Sequence, residues 1–359
     1  MKKPKKPKLA KLPKLPRRKV KSTEEKVSDA LSNVPRITNE TVGEHREEVL
    51  SSARKYIYPL QHSKHSVVKI SISLFAAVII TFFAFTGLEL YKFQTTNGFF
   101  YTVTSLVPFP VAKAGHNWVS YDSYLFELRH NMHYYQTQQA ASFKGKDGKA
   151  QLQHLKQQAM AQVIQYAYVK QLATRHGVSV SNTAVNSEIN SLRAENRLGS
   201  SQQSLKSTLS SYFGWNVSDL KREIKQELLE QAVVAKLDTA TNARAQSALK
   251  QLQAGTDFAT LAGQVSDDVT TRASGGQYPF VVTLNSTEVP PAVASEAFKL
   301  QPGQVSGIIN AGYTLEIIKV IDSTGGNAHV AHIQFNFQPV TTYVKPLQKA
   351  NPAHQYIKP

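Results

Sequence analysis

Ser266-Asp267-Asp268 places a hydroxyl beside two carboxylates, a grouping that raises the question of hydrolysis. Ser266 lacks the glycine-flanked context that presents a nucleophile on a sharp strand-to-helix turn, and the two aspartates have no acid–base partner nearby in sequence. His130, His133, His154 and His176 stand singly, with no metal-ligand spacing and no acidic partner. The chain has no cysteine, which removes disulfides, thiol nucleophiles, iron–sulfur sites and lipidated cysteines together. Asn216-Val217-Ser218 fits a glycosylation acceptor pattern, a weak signal in a short tripeptide.

The elements that position these residues begin with a membrane question. Ile70–Leu88, ISISLFAAVIITFFAFTGL, is an uncharged stretch of nineteen residues. At 1.5 Å per residue it spans roughly 28 Å, enough for a hydrocarbon core. It begins too late for an ordinary cleaved signal peptide. The alternative is a buried helix of a soluble domain. Residues 1–69 carry 18 Lys or Arg against 7 Asp or Glu, and the first 26 residues are the densest part. The positive-inside rule then puts the N-terminus in the cytoplasm and the rest outside.

The net charge of +17 invites a nucleic-acid reading. More than half of the excess lies in the leader, which a membrane topology sets against anionic lipid, so a lipid bilayer is expected as partner and nucleic acid is not. The Pro-Lys repeats cannot build a core, and residues 1–40 read as a disordered basic tail. Residues 41–66 offer a juxtamembrane amphipathic helix with Val49, Leu50, Ala53, Ile57 and Leu60 on one side. The membrane segment is expected over 67–90.

Residues 91–117 contain Gly98, Pro108 and Pro110 and read as a linker. Ser120 caps an amphipathic run. Leu152, Leu155, Met160, Val163, Ile164, Ala167 and Leu172 recur at helical spacing over 149–176, and Gly177 stops them. Shorter helices are expected over 182–195 and 203–212. In the last helix of this part Ser218 caps, and Leu220, Ile224, Leu228, Val233 and Leu237 share a stripe. Residues 118–240 thus read as an all-helical domain.

The character changes over 241–337. Helices are expected at 243–254, 257–264 and 293–298, and strands at 278–282, 305–309, 313–321 and 329–337. Thr324–Asn327 reads as a turn. The fold class is α+β on a small antiparallel sheet. Residues 338–359, with Pro339, Pro346, Pro352 and Pro359, read as an irregular tail.

The helical part, best over Trp215–Leu237, resembles the N-terminal chaperone domain of extracytoplasmic foldases of the SurA and PrsA type. The following part resembles the parvulin family of peptidyl-prolyl isomerases. The residues that carry this second resemblance are DFATLA at 257–262, Ser266-Asp267-Asp268 leading to Gly275-Gly276, EAFKLQPGQVSG at 296–307 and EIIKV at 316–320.

A parvulin opens with a strand bearing an active-site histidine, and here no such strand precedes the first helix. VAHIQF at 330–335 looks like that strand, with His332 in the histidine's place. In the family the opening and final strands are antiparallel neighbours, so a tight turn at 324–327 would let the late strand fill the slot, as in a circular permutation. VAHIQF reads equally as the opening of a truncated second module or as an added edge strand. The resemblance puts Glu316, with Thr314 as the other candidate, in the place of the second family histidine, and Asp268 near the proline ring. Val289, Val293 and Phe298, with Tyr278 and Phe280, then form the substrate pocket, although Val289, Val293 and Phe298 read equally as core.

The resemblance implies a membrane-anchored foldase of a bacterial envelope that isomerises X–Pro bonds in exported polypeptides. Unfolded or proline-containing exported chains would be its clients. The catalytic set would be His332, Asp268 and Glu316. Isomerisation breaks no covalent bond and requires no cofactor or metal; it needs stabilisation of a twisted amide. A glutamate where the family has histidine alters the donors. The rival reading is a client-binding chaperone that keeps the shell without catalysis.

Overall fold

A computed structural model describes residues 23–32, 37–57, 60–194, 198–199 and 201–359. It divides into two compact units, Met1–Phe82 and Phe83–Pro359.

The first unit is helical where described: α1 (Thr23–Ser32), α2 (Asn39–Ile57) and most of α3 (Leu60–Gly87). The densest basic leader, residues 1–22, lies outside the described residues, as do 33–36. Within the stretch expected to be disordered, Thr23–Ser32 is helical. α3 continues through a π-helical turn, and the run His65–Phe93 has a mean hydropathy of 2.3 with none of its most apolar stretch buried. Among the described residues it is the one helix long and apolar enough to cross a membrane.

The second unit begins in the last turns of α3. Then follow α4 (Gly98–Leu106), β1 (Pro110–Ala114), β2 (Asn117–Ser120), α5 (Tyr121–Gln138), α6 (Gly145–Arg175), α7 (Asn182–Ala194), α8 (Gln202–Thr208) and α9 (Val217–Leu237). The expected linker therefore contains a helix and a strand. Its breakers fall at element ends. Asn97 Oδ1 accepts from the Phe100 N–H at 3.0 Å, so Gly98 is the first helical residue, and both prolines follow α4.

α6 buries the predicted stripe, including Leu155, Met160, Val163, Ile164 and Leu172. α7, α8 and α9 enclose a satellite core of Val185, Ile189, Leu205, Leu209, Leu220 and Ile224. Ser218 does not cap α9. Asn216 does, in a capping box: its Oδ1 accepts from the N–H groups of Ser218 (2.7 Å) and Asp219 (3.1 Å), and Asp219 Oδ2 accepts from the Asn216 N–H (2.9 Å).

The α+β part comprises α10 (Thr239–Gln253), α11 (Phe258–Val265), α12 (Pro291–Ala297), β3 (Ile309–Asn310), β4 (Thr314–Thr324) and β5 (Asn327–Asn336). The sheet order is β3-β4-β5, antiparallel throughout. Gln277 and Val282 bridge to Ala331 and Ala328 along the other edge of β5. Leu315, Ile317, Ile333 and Phe335 join the large core with Phe258 and Leu261, while Ile318, Val320 and Val330 face Val289, Val293 and Ala297.

Residues 338–359 are not irregular. α13 (Val340–Ala350) buries Val340, Val344 and Leu347 and packs against α6 and α9. β6 (His354–Gln355) then pairs with β1, giving a second sheet of order β2-β1-β6. The part read as all-helical is therefore helices on a three-stranded sheet, completed by the last residues of the chain. Pro339 stands at the helix start, where its fixed φ suits entry, so proline content misled the reading.

Candidate functional site

Two glycines set the geometry. Gly325 (φ +58°) and Gly326 (φ +82°) form the two-residue turn between β4 and β5, and both need the left-handed region that a type I′ hairpin demands. That turn and a β-bulge at Ile321, which shifts the pairing by one residue, together set Ile318 opposite His332 and Glu316 opposite Gln334. His332 and Glu316 thus share one face as diagonal cross-strand neighbours. His332 Nδ1 lies 2.9 Å from Glu316 Oε2, and Thr314 Oγ1 donates to Glu316 Oε1 at 3.0 Å.

The Ser266-Asp267-Asp268 loop is stapled to β5. The Asp267 N–H donates to Gln334 O at 2.8 Å, and Asp267 Oδ2 accepts from the Asn336 N–H at 2.9 Å. Arg244 holds the same carboxylate with both guanidinium nitrogens, at 2.7 and 3.0 Å. The Ser266 hydroxyl is buried and accepts from the N–H groups of Gln334 and Asp268, a structural task. This staple brings Asp268 Oδ2 to 3.0 Å from His332 Nε2.

Thr271 completes the group. Its hydroxyl lies 2.6 Å from Asp268 Oδ2 and 2.9 Å from His332 Nε2. A hydroxyl has one proton. With that proton directed to Asp268, Nε2 is left to donate, and Nδ1 faces Glu316 Oε2. His332, only 2% exposed, therefore links two carboxylates through both ring nitrogens. Burial opposes the charge of Asp268, but hydrogen bonds from Thr271, the Thr270 N–H and His332 outweigh it and hold the carboxyl at about 2.

Gly276 allows this close packing. A Cβ there would lie 2.2 Å from the His332 carbonyl oxygen, and its φ is +81°. The His332 N–H donates to Gly276 O at 2.8 Å. Tyr278 stacks on the imidazole at 4.2 Å between centroids and on Phe280 at 5.1 Å. Burial, then Glu316 and Asp268, push the Tyr278 phenol upward.

The structure thus gathers His332, Asp268, Glu316 and Tyr278, with Phe280 beside Tyr278. Val289 and Val293 are not open to a ligand here: they lie in the core between α12 and the sheet, Val293 on α12 itself with no exposed surface. Phe298 is half-buried against the same core. Thr271 was missed. Its signal was the spacing Asp-x-x-Thr in a tight turn, where an aspartate bonds to groups two and three residues ahead.

Residues 226–322 match the family model of the PPIC-type PPIASE domain, and residues 60–234 that of the SurA-like N-terminal domain. The chain therefore carries a parvulin-type peptidyl-prolyl isomerase domain together with a SurA/PrsA-like N-terminal domain. The first match stops before β5, so His332 lies outside it.

Among similar proteins, Chaperone SurA of Methylobacillus flagellatus is 29% identical over 116 residues, 30% of this chain and 26% of that one. Foldase protein PrsA of Pediococcus pentosaceus is 30% identical over 187 residues, 45% of this chain and 61% of that one. The chain thus spans about a quarter of the SurA relative and less than two thirds of the PrsA relative. A crystal structure of the peptidylprolyl isomerase PrsA from Bacillus anthracis aligns at 18% identity over 53% of this chain and 86% of that one, with a TM-score of 0.17.

Proposed function

We propose that this chain is a membrane-anchored extracytoplasmic foldase that accelerates cis/trans isomerisation of X–Pro bonds in newly exported polypeptides. The observation that carries the proposal is His332 held between Asp268 and Glu316, with Tyr278 stacked on its ring. In this reading β5 stands in for the opening parvulin strand, as in a circular permutation. Its pairing with β4 on one side and bridges to Gln277 and Val282 on the other support that.

The barrier to X–Pro rotation is the partial double bond of the amide. An aromatic wall from Tyr278 and Phe280 would seat the proline ring, and the polar group would favour the twisted amide over the planar one. Thr271 and Glu316 position the imidazole. The span His65–Phe93 would anchor the protein in a bacterial cell membrane with the basic N-terminus inside and both folded domains outside. The helical part would hold unfolded clients.

A specific observation favours a second reading. His332 is almost fully buried, and Val289 and Val293 lie in the core. A closed site of this kind suits a client-binding chaperone with an isomerase shell. NMR exchange of X–Pro peptides in the presence of the full chain in detergent separates the two. Acceleration that disappears in a folded His332→Ala variant supports catalysis. A folded wild-type chain that leaves exchange unchanged supports binding alone.

A further inference from the structure

The second unit carries an apolar face that starts where α3 ends. No charged residue occurs between Lys92 and Lys113, a run of twenty residues that includes α4. Within this run Leu106 is 79% exposed and Phe99 is 59% exposed, and Phe93 is exposed as well. The run folds back on the last turns of α3. Phe109 meets Phe83 at 6.1 Å, Phe100 meets Phe85 at 6.2 Å, and the Tyr121 hydroxyl donates to Leu90 O at 2.5 Å. Thr86 and Leu90 are buried by this packing, while Phe83, Phe85 and Leu88 keep exposed surface.

We infer that α4 and the end of α3 form one lipid-facing collar that seats the folded unit in the outer interface of the bilayer. The inference rests on the proposed membrane anchor. If the span is embedded as far as Leu88, side chains packed at the level of Phe83 and Phe85 share its depth, and Phe99 and Leu106 extend the same apolar surface. The exposed hydroxyls of α4, those of Thr102 and Ser105, fit lipid contact. Thr102, Thr104 and Ser105 each donate to a carbonyl of the same helix, so they present no unsatisfied donor. Lys92 lies beside Phe93, with the stem length to raise its ammonium into the headgroups.

The absence of cysteine makes the test direct. Leu106→Cys, Phe99→Cys and, as an exposed apolar control in the isomerase-type part, Leu284→Cys are each labelled with an environment-sensitive dye in the full chain. The proteins are reconstituted in phosphatidylcholine vesicles containing brominated lipid. Retention in the lipid fraction after alkaline washing reads the anchor; quenching reads the collar. Retention with several-fold stronger quenching at Leu106 and Phe99 than at Leu284 supports the proposal. Retention with equal quenching at all three sites, or protection of Leu106 by an unfolded client instead of lipid, overturns the collar and leaves the anchor standing. Loss of the chain on washing overturns the anchor and the collar with it.

Discussion

His332 and Glu316 are sixteen residues apart in sequence and 2.9 Å apart across the β4–β5 hairpin, with almost no solvent access to either side chain. The contact exists because a two-residue turn and the one-residue bulge at Ile321 together set the register. One residue more or fewer would turn one of the two side chains to the opposite face of the sheet. A histidine with a carboxylate at each ring nitrogen is fixed in orientation.

Removing the ring should therefore cost stability as well as function. His332→Ala leaves Glu316 buried with Thr314 but without the imidazole, a loss of about 1–3 kcal/mol. Glu316→Gln keeps the shape and a hydrogen-bonding group and should cost clearly less. Chemical denaturation of both variants, read beside X–Pro exchange, checks the order. Equal stability of His332→Ala and wild type would contradict the ion-linked arrangement.

Acid should expose the role of Asp268. Its carboxyl sits at about 2 in the folded chain against an ordinary 3.8. A depressed carboxyl contributes stability that is complete above its ordinary value and disappears as pH falls toward the folded one. That contribution should be lost between roughly pH 4 and pH 2. Asp268→Asn should be weaker at neutral pH, and its difference from wild type should shrink across that window. Asp238 and Asp267 are also lowered, so the comparison has to be this difference and not the raw melting curve.

Two glycines of similar φ should respond differently. At Gly326 an added Cβ meets open space, so Gly326→Ala should cost only the left-handed penalty of about 1–2 kcal/mol. At Gly276 the same methyl collides with the His332 carbonyl. Gly276→Ala should cost more and shift the His332 ring resonances, which Gly326→Ala should leave near their wild-type positions. Thermal unfolding and histidine NMR spectra give both readouts.

The start of α9 offers a quieter check. Asn216→Ala removes the cap and should cost about 1 kcal/mol. Ser218→Ala, at the position first read as the cap, should stay within about 0.5 kcal/mol. Equal losses would mean that the capping box does not govern this helix end.

Much of this architecture is written locally. The stripe of α6, the body of α9 and the Gly-Gly turn depend on neighbours within a few residues, so periodicity and turn chemistry reveal them. The pieces of the isomerase-type domain were legible for the same reason, and so was His332 as the histidine of a late strand. Other features depend on partners far along the chain. Val289 and Val293 became core because α12 lies against β4 and β5, and no local pattern separates a pocket wall from a core wall. Thr271 gained its importance only when the Ser266–Asp268 loop was stapled to β5 by Arg244 and the strand backbone. α13 and β6 look like a proline-punctuated tail until α6, α9 and β1 supply the surfaces that bury Val344 and Ile357. Local sequence determined which segments are helices, turns and strands; the long-range burial of apolar side chains, which no short window contains, decided which of them meet at His332.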